Sequence, residues 1–175
     1  MLRLPIPDEG LTAGCNFAIA QTLTSAIGGV STTLHAHRGG SGQRFKDLLG
    51  TYYPWDLEPT QTVTPKQGAE VIYSLFRNPL VHNLGLDIGK KARTRKVNVK
   101  RLATNDGRRG LSEETIEQIE DTKKRFQKMS ATVTVSSDST VLLLEALHWG
   151  TRVMIERLVN DAPRMKRADA YLASL

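Results

Sequence analysis

One cysteine, Cys15, is all this chain of 175 residues contains. A lone cysteine excludes an internal disulfide and a four-cysteine zinc site. Between Gly14 and Asn16 on an apolar helix face it reads as a packed thiol rather than a nucleophile, and the default compartment is the reducing cytosol. Long apolar runs are missing as well. The stretch Leu11 to Leu34 leans apolar but is broken by Asn16, Gln21 and several Thr and Ser, whereas a membrane span needs about 20 mostly apolar residues, so no membrane association is expected. Met1 to Glu9 holds two prolines, one Arg and two acids, without the basic region and apolar run of a signal peptide. Internal repeats and low-complexity segments are absent. Gly39-Gly40-Ser41-Gly42 lacks the Gly-Lys-Ser/Thr ending of a phosphate-cradling loop. His35-Ala36-His37 has no acid or cysteine nearby at ligand spacing, so neither a metal nor another cofactor is expected. His148, within an apolar helix, reads as structural. No Ser-His-Asp or paired-carboxylate set stands out from spacing.

What is present is charge, unevenly placed. The net charge is +6, from 24 Lys and Arg against 18 Asp and Glu. Residues 90–109 carry nine of the cations (Lys90, Lys91, Arg93, Arg95, Lys96, Lys100, Arg101, Arg108 and Arg109) and a single acid, Asp106. That segment therefore holds a local excess of eight, and the rest of the chain sums to −2. A nearly neutral body with one cationic arm suits a polyanion partner. No aromatic lies within 90–109, so base stacking is not expected there and contact would be with phosphates. The competing interpretation is a solvated charged hairpin that binds nothing specific.

The length fits one domain over residues 1–175. A chain of this size buries about 70% of its unfolded surface and needs no staple. Leu11, Cys15, Ala18, Ile19, Leu23, Ala26 and Val30 recur at helical spacing, which predicts a helix over 10–28 that Gly28-Gly29 weakens, with a polar, Gly-rich loop over 31–42. A short helix over 44–52 is stopped by Pro54. Thr64-Pro65 marks the start of a helix over 66–77, with Ala69, Ile72, Tyr73, Phe76 and Leu80 on one face. Pro79 disfavours the α region at Asn78, so the simplest reading is a break: Asn78 caps a new turn, Pro79 is its first residue and Gly85 ends it. Lys96 to Lys100 alternates as a strand, Asn105-Asp106-Gly107 is a turn, and 131–135 alternates in a way that would pair with 96–100. Further helices are predicted over 112–128, with acids first and cations last, and over 138–160. Pro163 sets off a short basic tail. The expected fold is a mainly α, antiparallel bundle of four to six helices with a small two-stranded β element.

The informative motif is Phe76-Arg77-Asn78-Pro79-Leu80-Val81-His82. A cation that clamps phosphate and an imidazole that moves a proton stand five residues apart at the expected break. This stretch resembles the R-x4-6-H signature of the HEPN superfamily, in which Asn often follows the Arg. Gly42-Gln43-Arg44-Phe45-Lys46-Asp47-Leu48-Leu49, followed by Tyr52-Tyr53-Pro54, is similar to a segment that precedes this motif in uncharacterised bacterial helical proteins related to that superfamily. The resemblance covers residues 42–84 well and 11–34 loosely. It implies an RNA-binding helical domain acting as a metal-independent endoribonuclease, with Arg77, Asn78 and His82 as site residues and a homodimer building the site. It equally admits a non-catalytic interaction or scaffold module with a protein partner that kept the fold. Each residue also has a packing role open to it. Asn78 would serve as a cap, Arg77 would complement the negative end of a helix, and His82 would bond to backbone in the core.

Overall fold

The computed structural model describes residues 9–34, 39–82, 96–100 and 122–174. The chain is mainly α with a small sheet, as its patterning predicts. In chain order the elements are α1 (Glu9–Leu34), α2 (Ser41–Tyr52), a 3-10 turn (Trp55–Leu57), α3 (Pro65–Val71), a π-helical segment (Ile72–Arg77) and α4 (Asn78–His82). There follow β1 (Lys96–Lys100), α5 (Thr122–Gln127), β2 (Val133–Val135), β3 (Ser139–Leu143), α6 (Leu144–Val159) and α7 (Ala162–Leu172). Among the described residues no helix is long and apolar enough to cross a membrane.

α1 is the hub, packing against α2, the π segment, α4, α6, α7 and β1. It runs through Gly28-Gly29 and on to Leu34, so the expected loop over 31–42 is shortened from its N-terminal side. Two things carry it past the glycines. Ala20, Thr24, Ile27 and Ser31 are all buried and continue one face across them. Ser31 Oγ and Thr32 Oγ1 also donate to the Gly28 carbonyl, at 2.8 and 3.1 Å. Tertiary burial outweighs the roughly 1 kcal/mol that each glycine costs a helix.

The start of α3 follows the sequence signal closely. Thr64 Oγ1 accepts from the Gln67 N–H and the Gln67 side chain accepts from the Thr64 N–H, a complete capping box with Pro65 in the first turn.

The sheet departs from expectation. It has three strands in the order β1-β3-β2, so β1 and β2 do not pair with each other. β3 lies between them, parallel to β1 (Lys96 opposite Ser139, Lys100 opposite Leu143) and antiparallel to β2 (Val133 opposite Leu142). Residues 139–143, expected in the last long helix, form this central strand instead. A short apolar run cannot be assigned by periodicity alone, and Ser-Thr-Val at its start favours strand. The hairpin is closed by Ser136, whose N–H donates to the Ser139 carbonyl and whose Oγ accepts from the Ser139 N–H. Of the helix expected over 112–128, α5 accounts for 122–127, and residues 112–121 lie outside the described residues. The tail after Pro163 is itself helical: Asp161 caps α7 by accepting from the Arg164 N–H, and Ala168 is buried.

The core is organised by aromatic rings seated on glycines. At the end of α2 the chain turns through Tyr52, Tyr53, Pro54 and Trp55, all four buried. Tyr53 hydrogen-bonds Thr132 Oγ1 at 2.6 Å and donates to the Ala146 carbonyl at 3.0 Å. Its ring lies against Trp55 (4.6 Å between centroids) and edge-on to Phe126. A Cβ at Gly150 would stand 2.1 Å from the Tyr53 hydroxyl, and one at Gly68 would stand 2.3 Å from the Trp55 ring. Beside this knot Glu58 accepts from the Thr132 N–H at 3.0 Å, while its other oxygen is buried without a hydrogen-bond partner among the described residues. Burial raises the Glu58 carboxyl above its ordinary range, against the lowering effect of the Thr132 bond.

Two predictions follow from this packing. Gly150→Ala should lower stability by about 1–3 kcal/mol or more, because the Tyr53 hydroxyl is held and cannot give way. Gly50→Ala, on an open helix surface, should raise it by about 0.5–1 kcal/mol. Thermal melts of the two variants check the contrast. For Glu58, a raised carboxyl favours folding below the ordinary glutamate value and loses that contribution as pH rises through the raised one. Glu58→Gln should therefore gain in Tm relative to wild type on going from about pH 4 to about pH 8. A difference independent of pH would refute the assignment.

Candidate functional site

The motif region is a continuous helix with an altered winding, not a break. Asn78 has α backbone angles (φ −65°, ψ −49°), and its N–H donates to the Tyr73 carbonyl five residues earlier. It is therefore not the N-cap of a new turn, and no fresh helix starts at Pro79. In a regular α-helix the Pro79 ring would press on the carbonyl of Leu75 and leave a bond unmade. The wider winding over Ile72–Arg77 eases that crowding and lets the chain continue into α4 with Pro79 and Leu80 buried.

The π segment ends at Arg77. Its guanidinium lies over the Tyr73 ring, 5.5 Å from the centroid, and the Lys46 ammonium lies 5.7 Å from the same centroid. That ring is wedged against Phe45 at 5.7 Å, and a Cβ at Gly42 would stand 2.5 Å from it. Lys46 is paired with Glu70 at 2.9 Å. Arg77 is half-buried, and its Nε is buried with no hydrogen-bond partner among the described residues. An unpaired buried donor costs about 1–3 kcal/mol, so this arginine is held over the Tyr73 ring at some expense.

Asn78 is exposed. His82 is the last residue of α4, and its side chain lies outside the description. Positions 77 and 82 sit on one helical stretch, and five residues turn about 140° around an ideal α axis. The structure thus places the Arg and His positions on the same stretch of helix but not on the same side of an ideal one. Of the basic arm, Lys96 and Lys100 end β1, opposite Ser139 and Leu143. Lys90, Lys91, Arg93, Arg95, Arg101, Arg108 and Arg109 lie outside the described residues, as do His35 and His37. Among the described residues no three His, Cys, Asp or Glu side chains gather as a metal-binding group.

Sequence reasoning missed three polar clusters. Tyr52 donates to Asp161 Oδ2 at 2.5 Å and accepts from Arg164 Nε at 3.2 Å, tying the end of α2 to the cap of α7. Burial and the Asp161 bond push the Tyr52 phenol up, and that same bond holds the Asp161 carboxyl down. Arg157 forks onto Asp56 at 2.8 and 2.9 Å, lowering its carboxyl. Around Trp149, the guanidinium carbons of Arg125 and Arg152 stand 4.9 and 5.1 Å from the ring centroid, and His148 meets it edge-on at 5.2 Å. Only Trp149 and Arg152, one turn apart on α6, gave any local signal of this last cluster. Arg125 joins them through the packing of α5 on α6.

No protein-family model, curated protein or solved structure matches this chain.

Two outcomes are expected. Arg77→Met keeps the aliphatic stem and an S–aromatic contact with Tyr73 while removing the unpaired Nε, so the lost cation–π attraction and the relieved donor should cancel to within about 1 kcal/mol. Thermal denaturation of the variant measures this, and a loss several times larger would make Arg77 a structural residue. His148 is half-buried, and desolvation, followed by the charge of Arg152, lowers its pKa from the ordinary 6.5. The unfolded chain then takes up the proton first, so stability present above the ordinary value is lost as pH falls through the window below it. Wild type should lose Tm between about pH 7 and pH 5.5 more steeply than His148→Gln, and parallel profiles would contradict this.

Proposed function

We propose that this chain is a HEPN-like RNA-binding protein, with Arg77, Asn78 and His82 as a metal-independent endoribonuclease centre completed across a homodimer. The observation that carries the reading is the π segment ending at Arg77. Such segments are rare and recur at functional sites, and here one coincides with the motif that the sequence singles out. The half-buried guanidinium with an unpaired Nε adds support, because an uncompensated cost of this kind is commonly retained for function.

In this reading the RNA's own 2′-hydroxyl attacks the adjacent phosphorus. The 2′-O–P bond forms, the P–O5′ bond breaks, and a 2′,3′-cyclic phosphate and a 5′-hydroxyl result. His82 moves the proton, as its ordinary pKa of about 6.5 permits near neutrality. Arg77 stabilises the charge developing on the non-bridging oxygens, and Asn78 orients one of the two. A two-fold dimer supplies a second Arg–His set to the same groove. The arm over 90–109, with Lys90, Lys91, Arg93, Arg95, Lys96, Lys100 and Arg101, holds the strand through its phosphates.

The second reading is a non-catalytic interaction or scaffold module with a protein partner. The stacking of Arg77 on Tyr73 and the unbroken helix favour it, since both are sufficient as packing. Cleavage of mixed single-stranded RNA in a chelator separates the two. The nuclease reading expects activity in wild type and its loss in His82→Ala. Equal cleavage by both proteins sinks the assignment to His82, and none by wild type decides for the module.

The arm has its own test. If about five of its cations meet phosphates, log K should fall with log salt at a slope of roughly −3 to −4 on single strands. Replacing Arg93, Arg95 and Lys96 together by Ala should weaken binding to every sequence and flatten that slope. Unchanged affinity at low salt would leave the arm a solvated hairpin.

A further inference from the structure

Outside the motif and the arm, the described surface carries one group of cations whose arrangement packing alone does not account for. Arg125 and Arg152 come from different helices, yet both guanidinium groups lie on the same indole, that of Trp149. The two carbons can be no further apart than their two distances to the ring centroid added together. Neither has a carboxylate partner among the described residues, although acids are close along the chain. Glu156 lies one turn beyond Arg152 and forms no ion pair with it, and Asp56 is taken by Arg157. Elsewhere the cations on rings are differently placed: Lys46 is neutralised by Glu70, and Arg164 is bonded to Tyr52. Here two like charges are gathered and left unneutralised. Exposed Lys123, Lys124 and Lys128 flank Arg125 on and just beyond α5, and Arg152 is itself exposed. His148 adds no charge, since burial and Arg152 keep its imidazole neutral near neutrality.

From this cluster we infer a phosphate-binding site, formed by Arg125 and Arg152 on Trp149, that grips the phosphodiester backbone of single-stranded nucleic acid. A guanidinium held over an aromatic ring spends none of its N–H groups on a carboxylate and is already ordered, so little rotamer entropy is lost on binding a phosphate. Two forks on one rigid platform match phosphate oxygens rather than a base. Trp149 is only 3% exposed and cannot stack a base, so the site reads backbone without sequence preference. Exposed Lys123 and Lys128 extend the contact to neighbouring phosphates, which suits a polymer over a lone phosphate ion. The inference goes beyond the nuclease reading and does not depend on it, because it uses neither the motif nor residues 90–109.

The test is fluorescence of Trp149 in a Trp55→Phe background, titrated with a mixed-sequence single-stranded RNA. Inorganic phosphate and vesicles containing anionic lipid serve as separate arms. RNA should change the emission in a saturable, salt-dependent way, with phosphate alone far weaker and vesicles without effect. Arg125→Met with Arg152→Met keeps the aliphatic cover of the indole. It should weaken RNA binding at least about tenfold and flatten the log K–log salt slope by roughly 1.4, the loss of two phosphate contacts. Undiminished affinity and slope in a folded double variant would overturn the site, and so would saturation by vesicles or free phosphate at concentrations where RNA has no effect. Should the variant fail to fold, modification of wild type by an arginine-specific dicarbonyl decides. RNA should protect Arg125 and Arg152 as read by mass spectrometry, and equal modification with and without RNA overturns the site. Loss of cleavage in His82→Ala with this protection intact would separate the two sites.

Discussion

Protein interiors are packed to crystal-like density, and in this chain the tightest packing is that of large rings against missing side chains. Tyr53 sits where Gly150 has no Cβ, Trp55 where Gly68 has none, and Tyr73 where Gly42 has none. Each contact joins two different elements. The first fixes α6 against the turn after α2, the second fixes α3 on the same turn, and the third brings the π segment onto α2. The Tyr53 hydroxyl adds direction to what would otherwise be only volume, because its bonds to Thr132 and the Ala146 carbonyl tie the residue preceding β2 to the first turn of α6. The position of the motif helix, and hence of Arg77, depends on this set of ring-on-glycine contacts.

None of these ring-on-glycine contacts is legible in the sequence, but much of the secondary structure is, for identifiable reasons. The Thr64-Pro65 start, the stop of α2 ahead of Pro54 and the alternation of 96–100 rest on local chemistry, and local chemistry decides them. The structure differs from these signals where long-range packing overrides a local rule. Gly28-Gly29 does not end α1, because the buried face of Thr24, Ile27 and Ser31 continues through it. Ser139 to Leu143 becomes a strand because two partners are there to accept it, which no window of sequence reports. At Asn78 the pre-proline rule anticipated a break, whereas the backbone had a second solution, a wider turn. The site was legible as a string of residue types at 77, 78 and 82. Its conformation was not, nor was the pairing of Arg125 with Arg152, whose shared platform exists only once α5 has packed on α6.

The two arginine settings also differ in physical character. Arg77 is half-buried with a blocked Nε, so its orientation is set by what surrounds it, and it can present only what the ring and the helix leave open. Arg125, half-buried, and Arg152, exposed, rest on a buried indole that limits their freedom, and neither has a buried nitrogen left without a partner. One arrangement restricts a single group at a definite angle. The other spreads cationic charge over a surface. A reactive centre requires the first kind of control and a backbone grip the second.

The topology of the small sheet has a consequence for how the chain is made. β2 and β3 form a hairpin closed by three residues, and such hairpins assemble within microseconds. β1 is different, since its parallel partner β3 is synthesised well after it and the pairing must wait for the 38 intervening residues, 101–138, to be made. On the ribosome, therefore, Lys96-Val97-Asn98-Val99-Lys100 emerges as a strand-forming segment with no neighbour, the condition in which chains associate with one another through unpaired edges. A lysine at each end and an asparagine in the middle are the kind of residues that discourage such association. Those two lysines thus help to keep the nascent strand apart from its copies until β3 arrives.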